Sequence, residues 1–244
     1  MKVDVAFLPS ELQGRDLSDT VCIVLDVFRA TSSIVTAFEQ GCQRIIPVAL
    51  LEEAYETAAA ITPSPLLAGE RKSIKIEGFD LGNSPFEFSA DKVAGKTIVM
   101  TTTNGTVAIK AAERAYEILI GSFLNGQALC EEAQSYGKSI VILCAGTDRA
   151  FSLEDSLCAG FLAQYLEQQY QAVLSDTALA AVLMYQGAAN LLAMAAKRSE
   201  NGRRLMELGK ENEILYCLTP NRVNVVPVYK QGEIIVHPRN TFAE

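Results

Sequence analysis

The stretch Val21-Cys22-Ile23-Val24-Leu25-Asp26-Val27-Phe28-Arg29-Ala30-Thr31-Ser32-Ser33 decides the reading of this chain. Its first five residues are apolar and mostly β-branched, which predicts a strand. The strand stops at a carboxylate, Asp26. Arg29 and the hydroxyls of Thr31, Ser32 and Ser33 follow where a helix should start. Unpaired backbone N–H groups and the positive end of the dipole make such a start an anion site. A carboxylate and an anion cradle within one turn of each other point to phosphate chemistry.

Outward from this stretch, three units share one plan. The first runs from strand 21–25 through a helix over 31–40 to a strand over 44–48, with Gly41 as the helix stop. The second runs from strand 97–100 through the turn Thr101-Thr102-Thr103-Asn104-Gly105 and a helix over 106–115 to a strand over 118–120. The third joins strand 139–143 to a helix over 154–170. Continuous apolar strands followed by helices predict a parallel sheet covered on both faces. The expected class is therefore α/β: three layers, a mainly parallel sheet, a duplicated strand–helix core and a C-terminal hairpin over 223–229 and 233–237. One domain is expected, with two similar halves at about 1–95 and 96–244. Segment 69–88 breaks the rhythm and reads as a long functional loop.

The chain has 244 residues, 49% of them hydrophobic, and a net charge of −8. Nucleic-acid binding would want a basic stripe, which is missing. The N-terminus has no signal-peptide pattern, and no apolar run is read as reaching the ~18 residues of a membrane span. The six cysteines form no CxxC pair and read as reduced and mostly buried, which suits a cytoplasmic protein. The helical region 178–208 reads as core, with a homodimer face as the alternative.

In open α/β sheets ligands bind beyond the carboxyl ends of parallel strands, where Asp26, Asn104 and Asp148 fall. Asp26 reads as a catalytic or metal-holding carboxylate, or else as a cap of the next helix. Arg29 reads as an anion fork, or else as an ion pair with Asp26. Thr31, Ser32, Thr103, Asn104, Gly105 and Thr106 supply donors at two helix starts, where ordinary capping is the alternative. Asn83 and Ser84 furnish the odd loop with Glu70, Arg71, Lys72 and Asp80. Asp148, Glu154 and Asp155 lie close enough in sequence to suit a hard cation such as Mg²⁺, although Glu154 and Asp155 also complement the dipole of their own helix.

Familiar phosphatase machinery is missing. Cys144 to Arg149 is one residue short of Cys-x5-Arg, Asp26 lacks the second Asp of Asp-x-Asp, and the single histidine, His237, is flanked by Pro238 in a terminal strand and not by Arg. There is no phosphate-binding Gly-x4-Gly-Lys-Ser/Thr loop and no Gly-x-Ser-x-Gly elbow. A phosphatase built on this chain must use carboxylates and a metal.

The segments LDVFRATSS (25–33), AGERKSIKIEGFDLGNSPFEF (68–88), TTTNGT (101–106), GSFLN (121–125), CAGTDRAFSLEDSLCAG (144–160) and SENGRRLMELG (199–209) closely resemble the 2-phosphosulfolactate phosphatase family, in the same order and over nearly the whole chain. The resemblance implies an Mg²⁺-dependent phosphatase that releases 3-sulfolactate and phosphate from 2-phospho-3-sulfolactate. In some organisms that step serves coenzyme M synthesis. The resemblance also implies a three-layer α/β fold with a duplicated core. On the residues themselves, Mg²⁺ is expected on Asp26 with Glu154 or Asp155, and Arg29 and Arg149 on the anionic groups of a small phosphorylated substrate. Two alternatives stay open: another small 2-phospho acid, or a non-catalytic sensor of an anionic metabolite.

Overall fold

The computed structural model describes residues 1–236, so His237 and the end of the expected hairpin strand lie outside the described residues. Among the described residues eleven strands form one sheet: β1 (Lys2–Ala6), β2 (Thr20–Leu25), β3 (Arg44–Pro47), β4 (Leu66–Arg71), β5 (Ile74–Lys75), β6 (Thr97–Thr101), β7 (Glu117–Gly121), β8 (Ser139–Cys144), β9 (Val173–Leu174), β10 (Val228–Lys230) and β11 (Glu233–Ile235). The helices are α1 (Ala30–Glu39), α2 (Leu51–Ala59), α3 (Ala90–Val93), α4 (Gly105–Ala111), α5 (Gly126–Ser135), α6 (Leu153–Tyr170), α7 (Asp176–Ala188), α8 (Leu192–Lys197), α9 (Glu200–Glu207) and α10 (Glu211–Cys217).

The sheet order is β5-β4-β6-β3-β11-β10-β7-β2-β8-β1-β9. β4, β6 and β3 form one parallel block, and β7, β2, β8, β1 and β9 form another. The β10–β11 hairpin stands between them, antiparallel to β7 on one side and β3 on the other. The two blocks therefore run in opposite senses. Loops leaving the carboxyl ends of β4 and β6 nevertheless meet those leaving β2 and β8: Arg29 donates to the Ser73 carbonyl, the Asp148 amide donates to Asn104, and Gly105 lies against Asp26.

Strand β2 sits deep in the sheet because its apolar residues serve both faces. Val21, Ile23 and Leu25 pack with Leu129 of α5 and with Leu157 and Leu162 of α6. Cys22 and Val24 pack with Ile34 and Phe38 of α1 and with Ala108 and Ile109 of α4. Each fully buried branched side chain contributes about 1.5–3 kcal/mol. The expected helix-on-both-faces arrangement is thus found, and all six cysteines are free and buried. Gly41 ends α1 at φ +86°, as the sequence predicted.

Several boundaries differ from expectation. Segment 69–88 is not wholly loop: β4 runs through its start and pairs parallel to β6. The polar tail Gly69-Glu70-Arg71 hides the strand from a hydrophobicity reading. Helix α4 stops at Ala111, and residues 112–115 turn instead of continuing it. The hairpin strand begins only at Val228, one residue after Pro227, which has no N–H for a ladder. One apolar run does reach the length of a membrane span. Residues 177–196 carry no Asp, Glu, Lys or Arg, and the helical run Asp176–Lys197 is long and apolar enough, by length and composition, to cross a membrane. Ala178, Ala181 and Val182 nevertheless pack into the same core as α6.

Helices α6 and α7 meet at glycine. A Cβ on Gly160 would lie 2.0 Å from the Ala181 carbonyl oxygen, whereas one on Gly187 meets nothing within 4 Å. Gly160→Ala should lower unfolding stability by about 1–3 kcal/mol through forced separation of the helices. Gly187→Ala should leave it unchanged or raise it by up to about 1 kcal/mol through helix propensity. Urea unfolding midpoints of the two variants test this contrast.

Candidate functional site

Four carboxylates come together where the two blocks meet. Asp26 follows β2, Glu70 is near the end of β4, and Glu154 and Asp155 open α6. All four are buried. Burial pushes the Asp26 carboxyl up to about 7, and the neighbouring Glu70 carboxylate adds to it; the Ala30 amide opposes the shift, Glu154 reinforces it and Arg29 opposes it. Burial raises Glu154, against the opposing pull of its backbone amide and of Ser199, Asn201 and Ser152. Asp155 is raised well above the usual carboxylate range by burial, then by Glu154 and Asp26.

The four play different parts. Asp155 Oδ1 accepts from the Val27 amide at 2.8 Å and Oδ2 from the Gly146 amide at 3.2 Å, so it clamps the loops after β2 and β8. Glu70 Oε2 accepts from the Ser73 amide at 2.7 Å, and Oε1 accepts from the amide and hydroxyl of Thr103 at 3.0 and 2.9 Å. Asp26 has only a long 3.4 Å bond from the Ala30 amide. Glu154 Oε1 is buried with no hydrogen-bond partner. Asp26 and Glu154 are therefore the carboxylates with coordinating capacity left over.

That donor set fits a hard divalent cation. All its atoms are oxygens, the carboxyl groups are concentrated and buried, and one oxygen is orphaned. Among the described residues no three His, Cys, Asp or Glu side chains form a ready-made metal cage. Mg²⁺ does not need one, because it usually takes one or two carboxylates and completes its shell with water and substrate oxygens.

A narrow cleft opens over Asp26. It is lined by Asp26, Arg29, Glu70, Asn83, Asn201 and Arg204, together with the Thr103–Asn104 turn and Asp148. Asn83 Oδ1 is buried without a partner, which leaves it for a ligand or water. Asn104 Oδ1 accepts from the Asp148 amide at 3.3 Å, and Arg204 reaches the Asp148 carboxylate at 3.3 Å. Gly105 has no room for a side chain: a Cβ there would lie 2.9 Å from Ala30 Cβ and 3.0 Å from Asp26 Oδ2.

Other expected residues serve the scaffold. Thr31 Oγ1 accepts from the Asp26 amide at 3.0 Å, and the Ser32 hydroxyl donates to the Val27 carbonyl at 2.9 Å. Both residues are fully buried and neither lines the cleft. Thr106 donates to the Thr102 carbonyl at 3.0 Å and Ser84 starts the short helical turn Pro85–Glu87. These four hold the turns rather than facing a ligand. Arg29 borders the cleft, but its partner is Glu213 on α10, not Asp26, and it also donates to the Ser73 carbonyl at 2.9 Å. Arg149 faces a separate, larger cavity. Asn201, Arg204 and Glu213 carried no assigned role in the sequence reading, although SENGRRLMELG contains the first two.

A profile of the family described as 2-phosphosulpholactate phosphatase matches residues 6–232. A protein of Clostridium acetobutylicum named "Probable 2-phosphosulfolactate phosphatase" is 39% identical over 236 residues, covering 96% of this chain and 100% of its own length. A namesake from Clostridium tetani is 38% identical over 234 residues, with 96% and 100% coverage. Another, from Caldanaerobacter subterraneus subsp. tengcongensis, is 41% identical over 224 residues, with 91% and 93% coverage. These names support the phosphatase chemistry that a buried carboxylate cluster beside an amide-rich cleft suits. On a profile match over nearly the whole chain and relatives of this similarity, the chain belongs to the 2-phosphosulpholactate phosphatase family.

Proposed function

We propose that this chain hydrolyses 2-phospho-3-sulfolactate to 3-sulfolactate and phosphate with the help of Mg²⁺. The observation that carries the reading is the pairing of two under-coordinated buried carboxylates, Asp26 and Glu154, with a cleft bearing donors. Asp26 and Glu154 would hold the cation. When bound, Mg²⁺ supplies charge neutralisation at the phosphoryl oxygens. The side chains of Asn83, Asn201 and Arg204 bind and orient the anionic groups. Glu70 holds the Thr103 amide and hydroxyl in place, and the Arg29–Glu213 pair fixes the cleft wall formed by Ser73. Water adds to phosphorus, the ester P–O bond breaks, and the alcohol oxygen leaves with a proton.

Purified protein should release phosphate from racemic 2-phospho-3-sulfolactate with Mg²⁺ and stop when EDTA is added. Asp26→Asn should lower kcat/KM by about 10²-fold or more, on the scale of losing a main electrostatic group. Retention of most activity by that variant would sink the role given to Asp26.

The raised Asp26 carboxyl has a signature outside catalysis. In the folded, metal-free chain it keeps its proton up to about pH 7, whereas an ordinary Asp releases it near 3.8. Between those values the unfolded state binds fewer protons, so stability falls as pH rises. The loss is on the order of 1–4 kcal/mol. Asp26→Asn should flatten this fall. Mg²⁺ loading must displace the proton, so the Mg²⁺-induced rise in Tm should be larger at pH 8 than at pH 6. Thermal unfolding across pH, with Mg²⁺ or EDTA, measures both effects.

A further inference from the structure

The cleft over Asp26 encloses only about 30 Å³, room for about two water-sized groups. A reacting group fits there; the remainder of a substrate must lie outside. The cleft shares Thr103, Asn104 and Asp148 with a second cavity of about 1130 Å³, so the two spaces adjoin at one lip. That volume lies just above the roughly 300–1,000 Å³ of ordinary small-molecule sites. A three-carbon acid leaves most of it empty.

The larger cavity has its own chemistry. Its apolar wall comes from Leu8, Leu12, Leu17 and Val107, and its charged members are Arg15, Lys110, Arg114, Arg149 and a single carboxylate, Asp148. Arg15 is bound to Asp4 at 2.6 Å. Among the described residues Lys110, Arg114 and Arg149 form no ion pair. On a chain of net charge −8, a cluster of cations around an apolar hollow is a local reversal of sign.

The geometry points to a further activity: the cavity holds the far end of longer phosphomonoesters, 2-phospho acids with an apolar middle and a second anionic terminus. This rests on the phosphatase reading of the Asp26 cleft. The phosphoryl group sits in the cleft, the carbon chain crosses the Asn104–Asp148 lip, and the terminal anion meets Lys110 and Arg114. The bond broken is the same ester P–O bond, with water as the other reactant.

The test compares 2-phospholactate, 2-phosphooctanoate and 2-phosphooctanedioate with 2-phospho-3-sulfolactate, by phosphate release in Mg²⁺. The carboxylate-ended C8 ester should be turned over with kcat/KM at least tenfold above 2-phospholactate, with the neutral-ended C8 ester in between. Lys110→Gln/Arg114→Gln should lower kcat/KM for the C8 diacid about tenfold, mainly through KM, and leave the two short substrates unchanged. Equal or falling turnover with length, or an equal loss on all substrates, would overturn the proposal. Calorimetric binding of the product 2-hydroxyoctanedioate gives a readout independent of turnover. Binding that weakens in the double variant, with no phosphate release from any ester, would refute the phosphatase reading and leave the cavity assignment standing. No binding to the native chain would refute the cavity assignment itself.

Discussion

Everything around the candidate site depends on one buried carboxylate that is not free to do chemistry. Asp155 accepts one amide from the loop after β2 and another from the loop after β8. It sits in the first turn of α6, so one side chain joins two strand ends to the longest α-helix among the described residues. The position is electrostatically uncomfortable, with Glu154 and Asp26 close by. Removing the carboxylate would leave two buried amides without partners, each at a cost of about 1–3 kcal/mol. The clamp explains how Asp26 is held at a strand tip while remaining nearly uncoordinated itself.

The legible and illegible parts of the chain divide along physical lines. Strand β2, its carboxylate and the following helix could be read because the signal is local: an apolar run, a charge and a glycine stop. The Thr103–Asn104–Gly105 turn was equally readable, and the reason Gly105 must be glycine emerged only from the packing of Asp26 against it. Thr31 and Ser32 carried the right chemistry at the right helix start, yet their hydroxyls bond backbone groups at once, so they brace the turn. Arg29 illustrates the opposite failure. Its partner Glu213 stands far along the chain on a short helix, and no spacing rule connects them. Asn201 and Arg204 reach the cleft in the same long-range manner. Strand β4 was obscured because a strand that ends in glycine and charged residues no longer looks apolar.

The charge distribution follows from the same economy. The net charge of −8 describes the whole chain, whereas the cations around the larger cavity are a local reversal of sign. Carboxylates are gathered at the junction of the two sheet blocks, with cations set at the rim of the neighbouring hollow. Burial raises Asp26, Glu154 and Asp155 alike. The site is thus assembled from groups that are individually unfavourable.

The placement of the β10–β11 hairpin has a consequence for the order of assembly. Residues 228–235 supply the strands between β3 and β7, yet they are translated after every other strand of the sheet. During synthesis the two parallel blocks can form, but each keeps one bare edge until the hairpin emerges. Closure of the sheet is therefore a late, long-range event, and the junction that carries Asp26, Glu70 and Glu154 matures with it. A nascent chain halted before residue 228 would carry every site residue named above and lack the seam between the sheet's two blocks.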